Sequence, residues 1–232
     1  LSAELLDELK EILNKNLKRM TPAARTDLED ILRDLKLNAQ KINEHGRRAD
    51  SIVRSMLQHS RGKADEKQLT DINAILEEDI NLAYHGMRAQ DATFNVTIEK
   101  QLDKNIEKLK VVPQDISRVF LNIISNGFYA ANSRKKAEPN SFEPLVLVTT
   151  RNDNNHVRIS IRDNGSGIPE EIRDKLFNPF FTTKPSGQGT GLGLSLSYDI
   201  VVKEHNGSIT FETEEGKFTE FSIHLPKQGV AE

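Results

Sequence analysis

Six of the 13 glycines in this chain of 232 residues fall between positions 163 and 193. They lie in Asp163-Asn164-Gly165-Ser166-Gly167-Ile168-Pro169 and in Gly187-Gln188-Gly189-Thr190-Gly191-Leu192-Gly193-Leu194. Glycine clusters where backbone must pass close to another group or take a positive φ, and nucleotide phosphates are the commonest such group. Two familiar solutions are absent. GxxxxGK[ST] does not occur, and Leu192 and Leu194 stand where GxGxxG needs its third glycine. Asp163 ends the alternating run Arg158-Ile159-Ser160-Ile161-Arg162-Asp163, directly before a Gly-x-Gly turn. A carboxylate buried there is costly without a hydrogen-bond donor, and an exocyclic amine such as that of adenine would supply one. Upstream, Asn122 and Asn126 are four apart and so share one helix face. Two amide oxygens on that face can hold a hard cation that also touches phosphate oxygens, although an isolated pair of this kind is more often an amide network.

Several elements must position these groups. Pro113-Gln114-Asp115 opens a helix reaching about Ser133, and the Arg134-Lys135-Lys136 that ends it reads as complement to the helix dipole and solvated surface. A shorter helix covers about 71–89, and Phe94–Ile98 alternates as a strand. Strands follow over about 145–151 and 157–163, then a short helix from Pro169 to Phe177 and a glycine-rich loop to Thr190. A helix over 191–205 and strands over 208–213 and 219–225 close the chain.

Before residue 61 the character changes, with one glycine, Gly46, and one proline, Pro22. Leu6, Leu9, Leu13, Leu17 and Met20 form an amphipathic stripe that stops at Thr21-Pro22. Leu28, Leu35, Ile42, Ala49 and Met56 then repeat every seven residues, with Ile31, Asn38, His45, Ile52 and His59 as the second row of a seam. The pattern predicts an antiparallel helical hairpin over 1–62, a dimeric four-helix bundle when two copies meet, followed by a two-layer α/β sandwich over 63–232, an α+β chain. The first arm is about 30 Å long and the second about 57 Å. The distal seam is therefore expected to be covered by another subunit or by residues upstream, as in a hairpin truncated at its N-terminal end.

Composition narrows the function classes. Thirty-two Lys and Arg against 35 Asp and Glu give a net charge of −3, which offers no general attraction to nucleic acid or anionic membrane. Without cysteine there is neither a disulfide framework nor a thiolate nucleophile. No run approaches the roughly 20 apolar residues of a membrane span, so no membrane contact is expected within this stretch.

Asn122-Ile123-Ile124-Ser125-Asn126 resembles the N box of the GHKL, or Bergerat-fold, ATPases, and Asp163 to Gly167 their first glycine box. Phe177-Asn178-Pro179-Phe180-Phe181-Thr182-Thr183-Lys184 is similar to their F box, and Gly187 to Gly193 to the second glycine box after the ATP lid. Phe-Phe-Thr-Thr-Lys followed by Gly-Thr-Gly-Leu-Gly-Leu is the histidine-kinase version, and the hairpin resembles a dimerisation and histidine-phosphotransfer domain. The resemblance implies that Asp163 recognises adenine, with Gly165 and Gly167 shaping its pocket. It implies that Asn126, with Asn122, holds Mg²⁺ against the phosphates of ATP, and that backbone around Gly189, Gly191, Leu192 and Gly193 cradles them. It implies that Phe180 and Phe181 pack the lid and that Lys184 and Thr190 touch phosphate. It further implies a cytoplasmic kinase core, in a parent protein free to be membrane-anchored, that dimerises through the hairpin and relays phosphate to a response-regulator receiver aspartate. Tyr129 and Ala130 depart from the usual Lys or His and Tyr, and Phe218 replaces a usual glycine.

None of His45, His59, His85, His156, His205 or His224 is followed by an acid, as the family's acceptor box requires. The acceptor is thus expected upstream, and the chain as given is expected to bind ATP without phosphorylating itself. Two other readings stay open, a nucleotide-gated dimeric scaffold and a GHKL-type ATPase. The ATPase relatives carry a Glu base where Asn122 stands.

Overall fold

Proline at position 22 fixes φ for a first helical turn. In the computed structural model, which describes residues 21–60, 66–185 and 189–227, helix α1 runs Pro22–Ser60. The chain divides into two compact units, Leu1–Arg61 with Thr182–Thr190 and Gly62–Phe181 with Gly191–Glu232. In the first, α1 is 39 residues long, about 58 Å of helix. Of its seam, Ile31, Leu35 and Ile42 are 56%, 44% and 71% exposed. The first arm of the expected hairpin, 1–20, and the break at 61–65 lie outside the described residues.

The second unit is an α+β sandwich. Its helices are α2 (Ile72–Gln90), capped by the Asp71 side chain accepting from Ala74 N at 3.1 Å, and α3 (Pro113–Ala137), with proline in its first turn. The strands are β1 (Gln68–Thr70), β2 (Thr97–Leu102), β3 (Leu109–Val111), β4 (Leu145–Asn152), β5 (His156–Asp163), β6 (Ser208–Glu214) and β7 (Phe218–Pro226). A mixed sheet has the order β2-β4-β5-β7-β6, with β2 and β4 parallel and the other neighbours antiparallel, and β1 pairs with β3 alone.

Alternation decides which side chains meet the helices. On β5, Val157, Ile159 and Ile161 are buried, and Asp163 is the next inward position. They pack with Val146 and Val148 of β4 and Ile223 and Leu225 of β7 against Ile72, Leu76 and Ile80 of α2 and Ile116, Phe120, Ile123 and Phe128 of α3. Other positions on β5 and β7 carry a polar ladder. Arg158 Nη2 donates to Ser222 Oγ at 3.1 Å, Ser160 Oγ lies 2.9 Å from Ser222 Oγ, and Arg162 pairs with Glu220 at 3.2 Å.

Three expectations need correction. Phe94 and Val96 are buried, but the strand begins only at Thr97, whose amide bonds to Pro144 O at 2.9 Å as the parallel ladder with β4 starts. The turn expected as a helix from Pro169 to Phe177 is a 3₁₀ helix, Glu170–Lys175. The helix expected over 191–205 starts two residues later, because Gly191 has φ +71°, and it changes pitch: α4 (Gly193–Tyr198) gives way to a π-helix, Asp199–Glu204. His205 closes that turn through its own amide, bonded to Ile200 O at 3.1 Å.

Candidate functional site

The buried residues of α3 face the core, which leaves a half-buried face that includes the i+4 stripe Asn122, Asn126, Ala130 and Arg134 for other contacts. From Asn122 to Arg134 this stripe covers about 18 Å. Each end meets a glycine element.

At the far end, Asp163 is 5% exposed and lies against Gly127, where an added Cβ would be 3.5 Å from Asp163 Cβ. Gly165 passes so close to α3 that a Cβ would sit 2.7 Å from the Ala130 backbone carbon and 2.8 Å from Asp163 Oδ1, and its amide donates to that oxygen at 2.9 Å. Burial pushes the Asp163 carboxyl from its ordinary 3.8 up to about 7, against the opposing pull of the Gly165 amide, other backbone and Arg162. Gly167 holds φ +67° with its α-carbon against the Glu214 carbonyl, a place no side chain fits. The turn is tied to the β6–β7 hairpin by Gly216 N to Ser166 O at 2.7 Å and Ile168 N to Thr213 Oγ1 at 2.9 Å.

At the near end, Asn122 is half-buried and donates through Nδ2 to Ser197 Oγ at 2.9 Å. Its Oδ1 lies against the α-carbon of Gly193, where any side chain would collide with the amide. Asn126, also half-buried, stands one turn on, toward Gly127 and Asp163. Leu192 precedes α4 as its N-cap. Gly191 packs directly on the backbone of Phe180, a non-glycine residue at φ +67°. Phe180 is 48% exposed and Phe181 half-buried.

Asp163, Gly165, Gly167, Asn122, Asn126, Gly191, Leu192 and Gly193, with Phe180 and Phe181, thus belong to one unit. Lys184, Gly189 and Thr190 belong to the other. There Gly189 abuts Thr182 Oγ1, which also accepts from Lys184 N at 3.2 Å, and desolvation pulls the half-buried Lys184 ammonium below the usual lysine range.

Two positions carry roles that their sequence context did not suggest. Arg134, read as a cation at a helix end, donates to the Asn164 and Gly165 carbonyls. His205 is 4% exposed. Its Nε2 accepts from Val112 N at 3.1 Å, which puts the ring proton on Nδ1, facing Ile200 O at 2.9 Å. It pins the start of α3 to the π-helix. Among the described residues no three or more His, Cys, Asp or Glu converge as a metal cluster.

Residues 111–229 match the family described as histidine kinase-, DNA gyrase B-, and HSP90-like ATPase. Sporulation kinase E of Bacillus subtilis (strain 168) is 33% identical over 199 residues, 86% of this chain and 25% of that protein. Signal transduction histidine-protein kinase AtoS of Escherichia coli (strain K12) is 32% identical over 178 residues, 76% of this chain and 27% of that protein. The chain therefore spans about a quarter of the length of these curated relatives. Among solved structures, the catalytic domain of histidine kinase ThkA is similar at TM-score 0.52 and 30% identity, over 66% of this chain and 92% of that one.

Proposed function

The chain belongs to the histidine kinase-, DNA gyrase B- and HSP90-like ATPases, in their histidine-kinase form, and we propose that it delivers the γ-phosphoryl group of ATP to a histidine upstream of Leu1. The observation that carries this is the shared stripe on α3. It joins an inward-turned carboxylate under a glycine turn to a pair of amides beside a second glycine element. The carboxylate of Asp163 accepts from the adenine amine, and the Gly165 amide keeps it oriented. Backbone at the start of α4 meets the phosphates, with Gly193 bringing main chain against Asn122.

Asn122 and Asn126 are the residues that would hold Mg²⁺. Amide oxygens suit a small hard ion that takes its remaining ligands from phosphate and water. Bound there, the ion supplies charge neutralisation for the transferring group. Asn122 offers no basic oxygen with which to activate water, and its Nδ2 is engaged with Ser197. That favours transfer over hydrolysis.

The exposed Ile31, Leu35 and Ile42 of α1 support dimerisation of the hairpin with a second copy. The downstream acceptor is a receiver-domain aspartate. No described helix is long and apolar enough to cross a membrane. A direct test supplies the upstream histidine helix of the parent protein in trans with labelled ATP. Acid-labile phosphate is expected on that helix and none on this chain. Label on this chain, or on neither, would overturn the proposal, the second outcome favouring a nucleotide-gated scaffold.

A further inference from the structure

Resting on the adenine-end assignment above, we infer that Arg134 is a positioning residue for purine binding. It acts by holding the carbonyls of the Asn164–Gly165 turn against α3. Arg134 is one helical turn beyond Ala130, on the stripe that carries Asn122 and Asn126. Its Nη1 donates to Asn164 O at 3.2 Å and to Gly165 O at 3.3 Å, thirty residues away in sequence. The rest of the guanidinium is held as well. Nε donates to Glu138 Oε1 at 3.2 Å, and the plane lies 4.4 Å over the Phe142 ring. The side chain is only 23% exposed. A cation that merely complemented the helix dipole would need none of these contacts.

The turn needs holding at this point. Its distal half, Ser166 to Ile168, is fixed to the β6–β7 hairpin, and Asn164 is fixed by its side chain to Leu145 N at 2.8 Å and Glu143 O at 2.8 Å. Gly165 lies between these anchors, and Arg134 holds its carbonyl. The Asn164 carbonyl, which Arg134 also holds, shares its peptide plane with the Gly165 amide that orients Asp163 Oδ1, so drift of that peptide turns the acceptor that an adenine amine would use. Arg134 therefore acts on the purine through Gly165 and touches no phosphate.

Lysine separates the two roles, because it keeps the charge but loses the planar fork that can bond, stack and pair at once. Arg134→Lys and Arg134→Gln are titrated with ATP by calorimetry and with adenosine by ligand-detected NMR. Both ligands are expected to weaken by the same factor, about tenfold, in both variants. Asn126→Ala should weaken ATP and leave adenosine unchanged, which calibrates the phosphate end independently. Wild-type adenosine affinity in Arg134→Lys, or a loss confined to ATP, would overturn the inference. Should Arg134→Gln not fold, Arg134→Lys decides, supported by Phe142→Leu, which removes the stacking ring and is expected to weaken both ligands together. Absence of ATP binding by the wild type would instead remove the underlying assignment, and this inference with it.

Discussion

Asp163→Asn should make the nucleotide-free protein more stable while destroying its affinity for ATP. Folding raises this carboxyl from 3.8 to about 7, chiefly by burial. A raised acid favours the folded state below its unfolded value, and that contribution is lost as pH climbs from about 4 to about 7. At pH 8 the ionised side chain costs the fold at most about 4 kcal/mol, which asparagine removes while still accepting from Gly165 N. The unfolding midpoint at pH 8 is then expected to rise by as much as on the order of 10 °C, with the two proteins nearly alike at pH 4. Binding runs the other way. The amine needs an ionised acceptor, and at pH 6 only about one carboxyl in ten is ionised. Wild-type ATP affinity should therefore fall about tenfold between pH 8 and pH 6. In Asp163→Asn affinity falls well beyond tenfold at pH 8, because an amide hydrogen now opposes the amine, and the remaining pH dependence reports only the phosphates. Calorimetry across pH and thermal unfolding without nucleotide test both halves. A variant that unfolds at a lower temperature at pH 8, or a wild type whose affinity is as pH-insensitive as the variant's, would exclude a buried, raised Asp163 as the adenine acceptor.

Asp79 of α2 offers a parallel test away from the site. It is 3% exposed, accepts from Ser117 Oγ at 2.7 Å, leaves Oδ2 buried without a hydrogen bond, and burial pushes it up to about 6. The stability it costs grows as pH rises from about 4 to about 6, so Asp79→Asn should raise the unfolding midpoint by several degrees at pH 7.5 and little at pH 4. Gly193→Ala drives a methyl into Asn122 Oδ1, so ATP affinity is expected to drop more than tenfold with adenosine affinity kept, read by the same titrations. His205→Ala removes two buried hydrogen bonds and should cost about 2–3 kcal/mol in urea unfolding.

Much of the site is legible in the sequence because it rests on local periodicity. Strand alternation alone turns Asp163 inward, and helical spacing alone puts Asn122 and Asn126 on one stripe. What escapes is set by chain that returns from far away. Arg134 looks like any terminal cation until the turn thirty residues later lies beside it, and His205 is one of several histidines until Val112 meets it. Strands β1 and β3 are three residues each, too short for alternation to mark them out from loop, and exist through their pairing. The change of pitch after Tyr198 leaves no mark either, since the apolar spacing suits both helix types.

Phe180 and Gly191, back to back and both in the left-handed region, have a consequence for how this chain can vary. The backbones at 180 and 191 already touch within the sandwich, so the two ends of the stretch that joins them are held together by the scaffold itself. Doubling the length of such an excursion costs only about 0.6 kcal/mol in closure entropy. The stretch between them is therefore a natural cassette, replaceable in length and composition by grafting from another protein with little penalty to the scaffold beneath.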